Sequence, residues 1–150
     1  MDVKDIMTKN LITASEDDTA EKCARLLNKY NIGGLPVVNK EGKLTGMITE
    51  NDLIRRATDL QGPAYLEILG GIIYLDSPKD FIEELKKAMS QMVKDVMTKD
   101  VVTIDQDENV DHAAAVLVSK GIKRLPVLDD EGELVGILTQ RDIMNHLFNS

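Results

Sequence analysis

The sequence predicts an α/β protein in which a β-α-β-β-α unit occurs twice. Three observations support this prediction. Segments of the first half return 90 positions later without a gap. Short aliphatic and β-branched runs are bounded by turn residues, and each copy carries apolar residues spaced i, i+3, i+4, i+7. We expect the copies to pack about a pseudo-twofold axis, with small mixed sheets and flanking helices, because about fifty residues alone bury too small a core.

The duplication is visible in three pairs of segments. They are VKDIMTK at 3–9 with VKDVMTK at 93–99, LPV at 35–37 and again at 125–127, and GMITEND at 46–52 with GILTQRD at 136–142. The sequence therefore predicts a first copy at 1–57, an inserted helical connector at 58–92 and a second copy at 93–150.

A strand and a helix are predicted to begin each copy. The strands lie at 10–13 and 100–104, the second being richer in β-branched residues. The helical stripes are Ala20, Cys23, Ala24 and Leu27 in the first copy, and Val110, Ala113, Ala114 and Leu117 in the second. Acidic residues precede both stripes, which favours a helix start because of the helix dipole.

A hairpin and a second helix complete each copy. Strands at 35–38 and 44–48 flank a turn at 39–42, and their counterparts at 125–128 and 134–138 flank a turn at 129–132. The last helix begins near Thr49 in the first copy and near Thr139 in the second.

The connector carries signals of its own. Ser77-Pro78 is typical of a capped helix start with proline at the first helical position, and an apolar stripe runs from Phe81 to Met92. The run at 62–75 is too apolar for a simple linker, so we expect it to pack on the repeats or at a subunit interface.

Composition excludes several classes of protein. Aromatic residues make up 3% of the 150 residues, so the core must be aliphatic, and the net charge of −8 argues against a general nucleic-acid binder. The single cysteine, Cys23, excludes a disulfide framework. The charged N-terminus lacks a signal-peptide stretch, and the run at 68–75 is too short to span a bilayer. We expect a cytoplasmic protein with no membrane partner.

The repeated Gly-h-h-Thr-x-x-Asp (h, hydrophobic), which follows h-Pro-Val and precedes a helix, resembles the cystathionine-β-synthase (CBS) domain, as do both openings. The resemblance covers residues 3–57 and 93–147. Two CBS domains form a Bateman module. The resemblance implies a non-catalytic regulatory module that binds AMP, ADP, ATP, S-adenosylmethionine or a dinucleotide. It implies no obligatory cofactor, with Mg²⁺ only as a companion of ATP, and it implies a homodimer that acts on an unknown effector protein.

A nucleotide also fits the chemistry of the motif. Thr139 and Asp142 lie in the first turn of a predicted helix, where free N–H groups and the dipole favour phosphate. The Asp142 carboxylate accepts well from ribose hydroxyls, and Gly136 lets the strand approach a ligand closely. The favoured ligand-binding residues, in the second copy, are Val102, Thr103, Lys123, Arg124, Pro126, Ile137, Thr139 and Asp142. The weaker set, in the first copy, is Ile12, Thr13, Leu35, Pro36, Met47, Thr49 and Asp52.

The two predicted sites differ in charge. Lys123-Arg124 precedes the second hairpin, whereas Gly33-Gly34 precedes the first. The resemblance implies that Arg124 contacts a ligand phosphate, and a guanidinium suits that role; the alternative is a solvated pair on a surface turn. We hypothesise that the Asp142 site binds phosphorylated ligands more tightly than the Asp52 site, while the glycines leave room for a bulkier or uncharged group.

Alternative interpretations stay open at this point. Thr-x-x-Asp is also a helix capping box, and the whole chain also suits a structural dimerisation module with vestigial clefts. A small nucleotide-processing enzyme is a third class, which no sequence motif supports. We expect Cys23 to be a buried core residue and His112 to be a surface residue, rather than catalytic groups.

Overall fold

The computed structural model describes residues 1–60, 83, 86–87 and 89–149, and the side chains of 56–60 are outside that description. The predicted helix start at Ser77 and the apolar run at 62–75 therefore lie outside the described residues. Among the helices that are described, none is both long and apolar enough to cross a membrane.

Each copy follows the predicted β-α-β-β-α order after a short helix, Val3–Ile6 or Val93–Val96, that the sequence did not predict, and each copy forms a three-stranded mixed sheet. The helices are α1 (Val3–Ile6), α2 (Ala20–Tyr30), α3 (Glu50–Leu60), α4 (Val93–Val96), α5 (Val110–Lys120) and α6 (Gln140–Phe148). The strands are β1 (Ala14–Ser15), β2 (Gly34–Val38), β3 (Leu44–Thr49), β4 (Ile104–Asp105), β5 (Arg124–Leu128) and β6 (Leu134–Thr139).

The sheet orders are β1-β2-β3 and β4-β5-β6, with β1 and β4 parallel to their neighbours and β5 antiparallel to β6. The predicted α/β class is confirmed.

The chain divides into two compact units. The Asp142 unit comprises Met1–Ile12, Glu41–Leu44 and Asp100–Ser150, and the Asp52 unit comprises Thr13–Lys40 and Thr45–Lys99. Each unit thus joins the opening segment of one copy to the sheet of the other copy. In the Asp142 unit the N–H of Val3 donates to the Glu108 carbonyl at 2.8 Å, and Val3 is fully buried. In the Asp52 unit the N–H of Val93 donates to the Asp18 carbonyl at 2.8 Å.

The predicted helical stripes are confirmed. In α2 the residues Ala20, Cys23 and Leu27 are buried, and in α5 the residues Val110, Ala113 and Leu117 are buried. Thr19 and Asn109 cap the two helix starts by accepting from backbone N–H groups. Asn31 and Gly121 end the helices in the left-handed region, which lets a backbone N–H return to the last turn.

The prediction for the first strands is wrong in its position. The strand of the first copy lies at Ala14–Ser15 rather than 10–13, and that of the second copy shares only Ile104 with the predicted 100–104. In the second copy the cause is the proline of the neighbouring strand β5. Ile137 exchanges both of its backbone hydrogen bonds with Thr8, so its ladder partner Pro126 turns its own backbone toward β4. Because proline has no N–H to donate, the parallel ladder cannot continue back to residue 102.

The hairpins confirm the predicted turns and the aliphatic core. Gly42 and Gly132 have φ of 79° and 78°, which is why glycine closes each turn. The Asp129 carboxylate accepts from the N–H groups of residues 131 and 133, both at 2.9 Å. Beneath the second hairpin, Leu125, Val127 and Leu138 are fully buried.

Cys23 is fully buried, as predicted, and burial raises the pKa of its thiol to about 11 from an ordinary 9.0. Below pH 9 both the folded and the unfolded chain keep this thiol protonated. Between about pH 9 and 11 only the unfolded chain ionises it, so the free energy of unfolding falls over that interval. Urea titrations should show a steeper loss for the wild type than for Cys23→Ala, since alanine is the residue at the equivalent position 113. Parallel stability curves from pH 8 to 11 would contradict this prediction.

Candidate functional site

The Asp142 carboxylate lies at the start of α6 in a reciprocal capping box. The Thr139 N–H donates to Asp142 Oδ2 at 3.0 Å, and the Asp142 N–H donates to Thr139 Oγ1 at 3.1 Å. The capping interpretation of Thr-x-x-Asp is therefore confirmed for this copy. The box also holds the carboxylate at the first turn of the helix, where the helix dipole is positive.

Thr8 supplies a further donor to Asp142, which the sequence did not reveal. Its hydroxyl donates to Oδ1 at 3.0 Å and reaches Oδ2 at 3.2 Å. The repetition of Met-Thr at positions 7–8 and 97–98 was a signal that these threonines have a role. The partner could not be predicted, because Thr8 bonds to the motif of the other copy, 134 residues away.

The structure places the two basic residues of the second copy at the same helix start. Arg124 is the ladder partner of Thr139, and it is half-buried. The carbonyl of Lys123 accepts from the Gln140 N–H at 3.1 Å, while its side chain is exposed. In the first copy the Gly33 carbonyl accepts equivalently from the Glu50 N–H at 3.1 Å. This backbone bond is therefore the same in both copies, and cationic side chains stand at these two positions in the second copy alone.

The remaining predicted residues of the second copy belong to the same unit. Val102 is half-buried and packs against the core, Thr103 is exposed, and Ile137 is half-buried. Pro126, which faces Ile137 in the ladder, is less than 2% exposed, so its side chain belongs to the core.

The sequence predicted that Gly136 lets the strand approach a ligand, but in the structure Gly136 lies against Met7. A Cβ at this position would lie 2.5 Å from Sδ of Met7. The glycine is therefore required by the opening segment that crosses β6, and the expectation that it admits a ligand is corrected. Gly46 has the same relation to Met97, at 2.5 Å.

Asp52, in the other unit, accepts hydrogen bonds from three donor groups, one more than Asp142. Its Oδ2 accepts from the N–H of Thr49 at 2.9 Å and from the hydroxyl of Thr49 at 3.1 Å, and its Oδ1 accepts from the Thr98 hydroxyl at 3.1 Å. The residue is 7% exposed, whereas Asp142 is half-buried. Three donors and burial together make Asp52 a structural carboxylate in this conformation.

The other residues predicted for the first copy separate into core and surface. Leu35 and Pro36 are less than 2% exposed and Met47 is 7% exposed, so all three side chains are core residues in this conformation. Thr13 is exposed and belongs to the Asp52 unit, while Ile12 is half-buried and belongs to the Asp142 unit. The structure therefore does not gather these residues in one unit, as it does those of the second copy.

The Asp52 unit contains a groove that sequence reasoning did not identify. It has a volume of about 290 Å³ and lies between α2 and α3, lined by Ala24, Leu27, Asn28, Asn31, Ile32, Glu50, Leu53, Ile54 and Met89. None of the predicted ligand-binding residues lines it.

Comparison with protein families gives two matches to the CBS domain, at residues 3–59 and 93–149. An uncharacterised protein of Methanocaldococcus jannaschii is 36% identical and matches 97% of this chain and 90% of its own length. The inosine-5′-monophosphate dehydrogenase of the same organism is 35% identical over 93% of this chain, which corresponds to 22% of that enzyme. The similarity to the dehydrogenase is thus confined to a minor part of it.

Solved structures agree with this assignment. The CBS domain pair of protein MJ0100, in complex with 5′-methylthioadenosine and S-adenosyl-L-methionine, has a TM-score of 0.70 and 31% identity, covering 98% of this chain and 99% of that one. CBSX2 in complex with AMP has a TM-score of 0.75 at 24% identity, covering 99% of this chain and 96% of that chain, which supports the fold. With two family matches over most of its length and the same fold, the chain belongs to the CBS-domain family, as a tandem pair.

Proposed function

We propose that this protein is a non-catalytic regulatory module that binds an adenosyl ligand beside Asp142 and transmits its occupancy to an effector protein. The observation that carries the proposal is the state of the Asp142 carboxylate, which is half-buried and lies at a helix N-terminus next to Thr139 and Arg124. Such a carboxylate suits the two hydroxyls of a ribose, and the cation beside it suits a phosphate or carboxylate.

The number of acceptor positions supports a diol at Asp142. A carboxylate offers about four acceptor positions. Among the described residues, two donors, Thr8 Oγ1 and the Thr139 N–H, are directed at Asp142. About two positions therefore remain for a ligand. Asp52 receives three donors and is nearly inaccessible, so it is the poorer candidate.

The charge around the helix start supports an anionic or zwitterionic ligand. The chain carries a net charge of −8, so an anion needs a local concentration of positive charge. Lys123 and Arg124 provide it where the α6 dipole is positive. The relative solved with S-adenosyl-L-methionine and 5′-methylthioadenosine is 31% identical to this chain, which supports the adenosyl class without selecting one member.

Isothermal titration calorimetry of the full chain tests this proposal. The panel is AMP, ADP, ATP with and without Mg²⁺, S-adenosylmethionine and 5′-methylthioadenosine, with GMP and CMP as controls for the base. Saturable binding of at least one adenosyl compound, accompanied by a rise in Tm, is expected because a ligand that binds only the folded state stabilises it. No heat and no Tm shift with any of them would overturn the proposal. Product formation monitored by chromatography would instead indicate an enzyme.

Transmission of occupancy requires two conformations that the ligand distinguishes. A ligand shifts such an equilibrium only by its differential affinity for the two states. Amide hydrogen exchange with and without the bound compound would report this change, and we expect altered protection in the opening segment 1–12 because it is bonded to β6 and Asp142.

We also propose that the module forms a homodimer through α6. Met144, Leu147 and Phe148 lie at i, i+3 and i+4 on this helix and are 52%, 59% and 73% exposed. Exposed apolar groups clustered in this way are typical of interaction surfaces. Sedimentation velocity should show a dimer for wild type and a shift toward monomer for Leu147→Glu.

Asn145→Glu is the matched control for that charge, because Asn145 is exposed on the same helix and polar. It should leave the dimer intact. A wild-type monomer at all concentrations, or equal behaviour of both variants, would contradict an α6 interface. Dimerisation without any adenosyl binding would instead favour a structural dimerisation module.

A further inference from the structure

Thr8 is fixed in space by its backbone as well as by its side chain. Its N–H donates to the Ile137 carbonyl at 2.9 Å, and its carbonyl accepts from the Ile137 N–H at 3.0 Å. Met7, directly before it, packs over Gly136. Both backbone groups of Thr8 are therefore bonded to β6, and this fixes the position from which its hydroxyl reaches Asp142. Thr8 nevertheless belongs to the opening segment of the first copy.

Two separate anchors determine the plane of the Asp142 carboxylate. Thr139 N–H holds Oδ2 at 3.0 Å, and Thr8 Oγ1 holds Oδ1 at 3.0 Å. The terminal torsion of an aspartate is broad, so a single anchor leaves the carboxylate free to rotate about its Cβ–Cγ bond. With both anchors present, the remaining acceptor positions point in fixed directions.

We infer that Thr8 is a positioning residue for the ligand carboxylate of the second copy, so the Asp142 site is complete only when the first copy's opening segment is in place. This inference rests on the proposed function. Its consequence is specificity for a vicinal diol: two hydroxyls of a ribose meet both remaining acceptor directions only while the carboxylate plane is held.

The test uses the full chain and two probes, the adenosyl compound of the panel that binds best and its 2′,3′-dideoxy analogue. Wild type should prefer the diol compound by about 10-fold or more, since a hydrogen bond to a charged group typically has this effect on affinity. Thr8→Val keeps the shape of the side chain and removes the donor. It should weaken the diol compound by about 10-fold while leaving the dideoxy compound nearly unchanged, so that discrimination collapses.

Two further variants separate positioning from folding. Thr8→Ser retains a hydroxyl and should restore most of the discrimination. Thr98→Val removes the equivalent donor to the buried Asp52 and should lower Tm while leaving the diol preference intact. Tm measurements on all variants identify any general loss of structure.

The outcomes distinguish failure of the proposed function from failure of the positioning role. If wild type binds no adenosyl compound, the proposed function fails and this inference fails with it. If wild type binds with a diol preference that Thr8→Val retains, the proposed function stands and the positioning role of Thr8 is refuted. That role is also refuted if Thr8→Val and Thr98→Val lose discrimination equally.

Discussion

Asp142→Ala is expected to weaken binding of the adenosyl ligand by about 10- to 100-fold, because a charge-assisted hydrogen bond contributes about 1.5–3 kcal/mol. Asp52→Ala should change the same affinity by less than about threefold. The reason is accessibility: Asp142 is half-buried and receives two donors, whereas Asp52 is 7% exposed and receives three. Calorimetry on both variants measures the difference directly.

Folding stability should show the opposite order for the same two substitutions. Removing the carboxylate of Asp52, which is 7% exposed, leaves the N–H of half-buried Thr49 and the hydroxyl of exposed Thr98 without their acceptor. Losing a hydrogen bond to a charged group costs about 1.5–3 kcal/mol. Asp142→Ala loses a capping interaction nearer to solvent, which costs about 1 kcal/mol. Urea denaturation of the ligand-free proteins provides this comparison.

This crossed pattern is more decisive than either measurement alone. A variant that merely unfolds loses both binding and stability, so the stable but binding-deficient Asp142→Ala identifies a ligand contact. Equal affinity losses, or a larger loss for Asp52→Ala, would show that the preference for the second copy is wrong.

Local patterns predicted much of this fold because they reflect local physics. The stripe of Cys23 and Leu27 and its counterpart in α5 follow from helical periodicity, and the turns closed by Gly42 and Gly132 follow from backbone sterics. The capping box was predictable for the same reason, since Thr139 and Asp142 interact within one helical turn.

Non-local features were not predictable. The first strand of the second copy was misplaced because its length depends on the direction in which Pro126 faces, which only the neighbouring strand β6 determines. The bond from Thr8 to Asp142 spans 134 residues and links opposite copies. A repeat indicates that two segments are equivalent, but it does not indicate which sheet each opening segment joins.

The candidate site residues show the same difference between local features, which were predictable, and non-local features, which were not. Sequence pattern predicted that Thr139 and Asp142 lie at one helix start, and the family resemblance added Arg124 to the same site; the ladder between β5 and β6 pairs Arg124 with Thr139. The sequence pattern gave no measure of burial, so Leu35 and Pro36 entered the predicted site although their side chains are core residues in the structure. Burial depends on tertiary packing, which an isolated motif does not encode.

Gly46→Ala is expected to destabilise the protein by about 1–3 kcal/mol, the range of overpacking in a filled interior. A Cβ at this position would lie 2.5 Å from Met97 Sδ and 2.8 Å from the Thr98 carbonyl oxygen. That carbonyl cannot retreat easily, because it accepts from the Met47 N–H at 2.9 Å while the Thr98 N–H donates back to Met47. Gly136→Ala should cost less, since its three nearest atoms all belong to the flexible side chain of Met7.

Double variants separate the side-chain clash from the backbone clash. Combining Gly136→Ala with Met7→Ala removes every close contact described for that Cβ, so the two effects should be strongly non-additive and most of the glycine penalty should disappear. Combining Gly46→Ala with Met97→Ala leaves the Thr98 carbonyl at 2.8 Å, so a substantial penalty should persist. Urea denaturation of each single and double variant gives the coupling energies. If both double variants recover the full stability lost on glycine substitution, backbone proximity at Gly46 has no energetic weight. If the effects are additive in both copies, neither glycine is required by the methionine that crosses it.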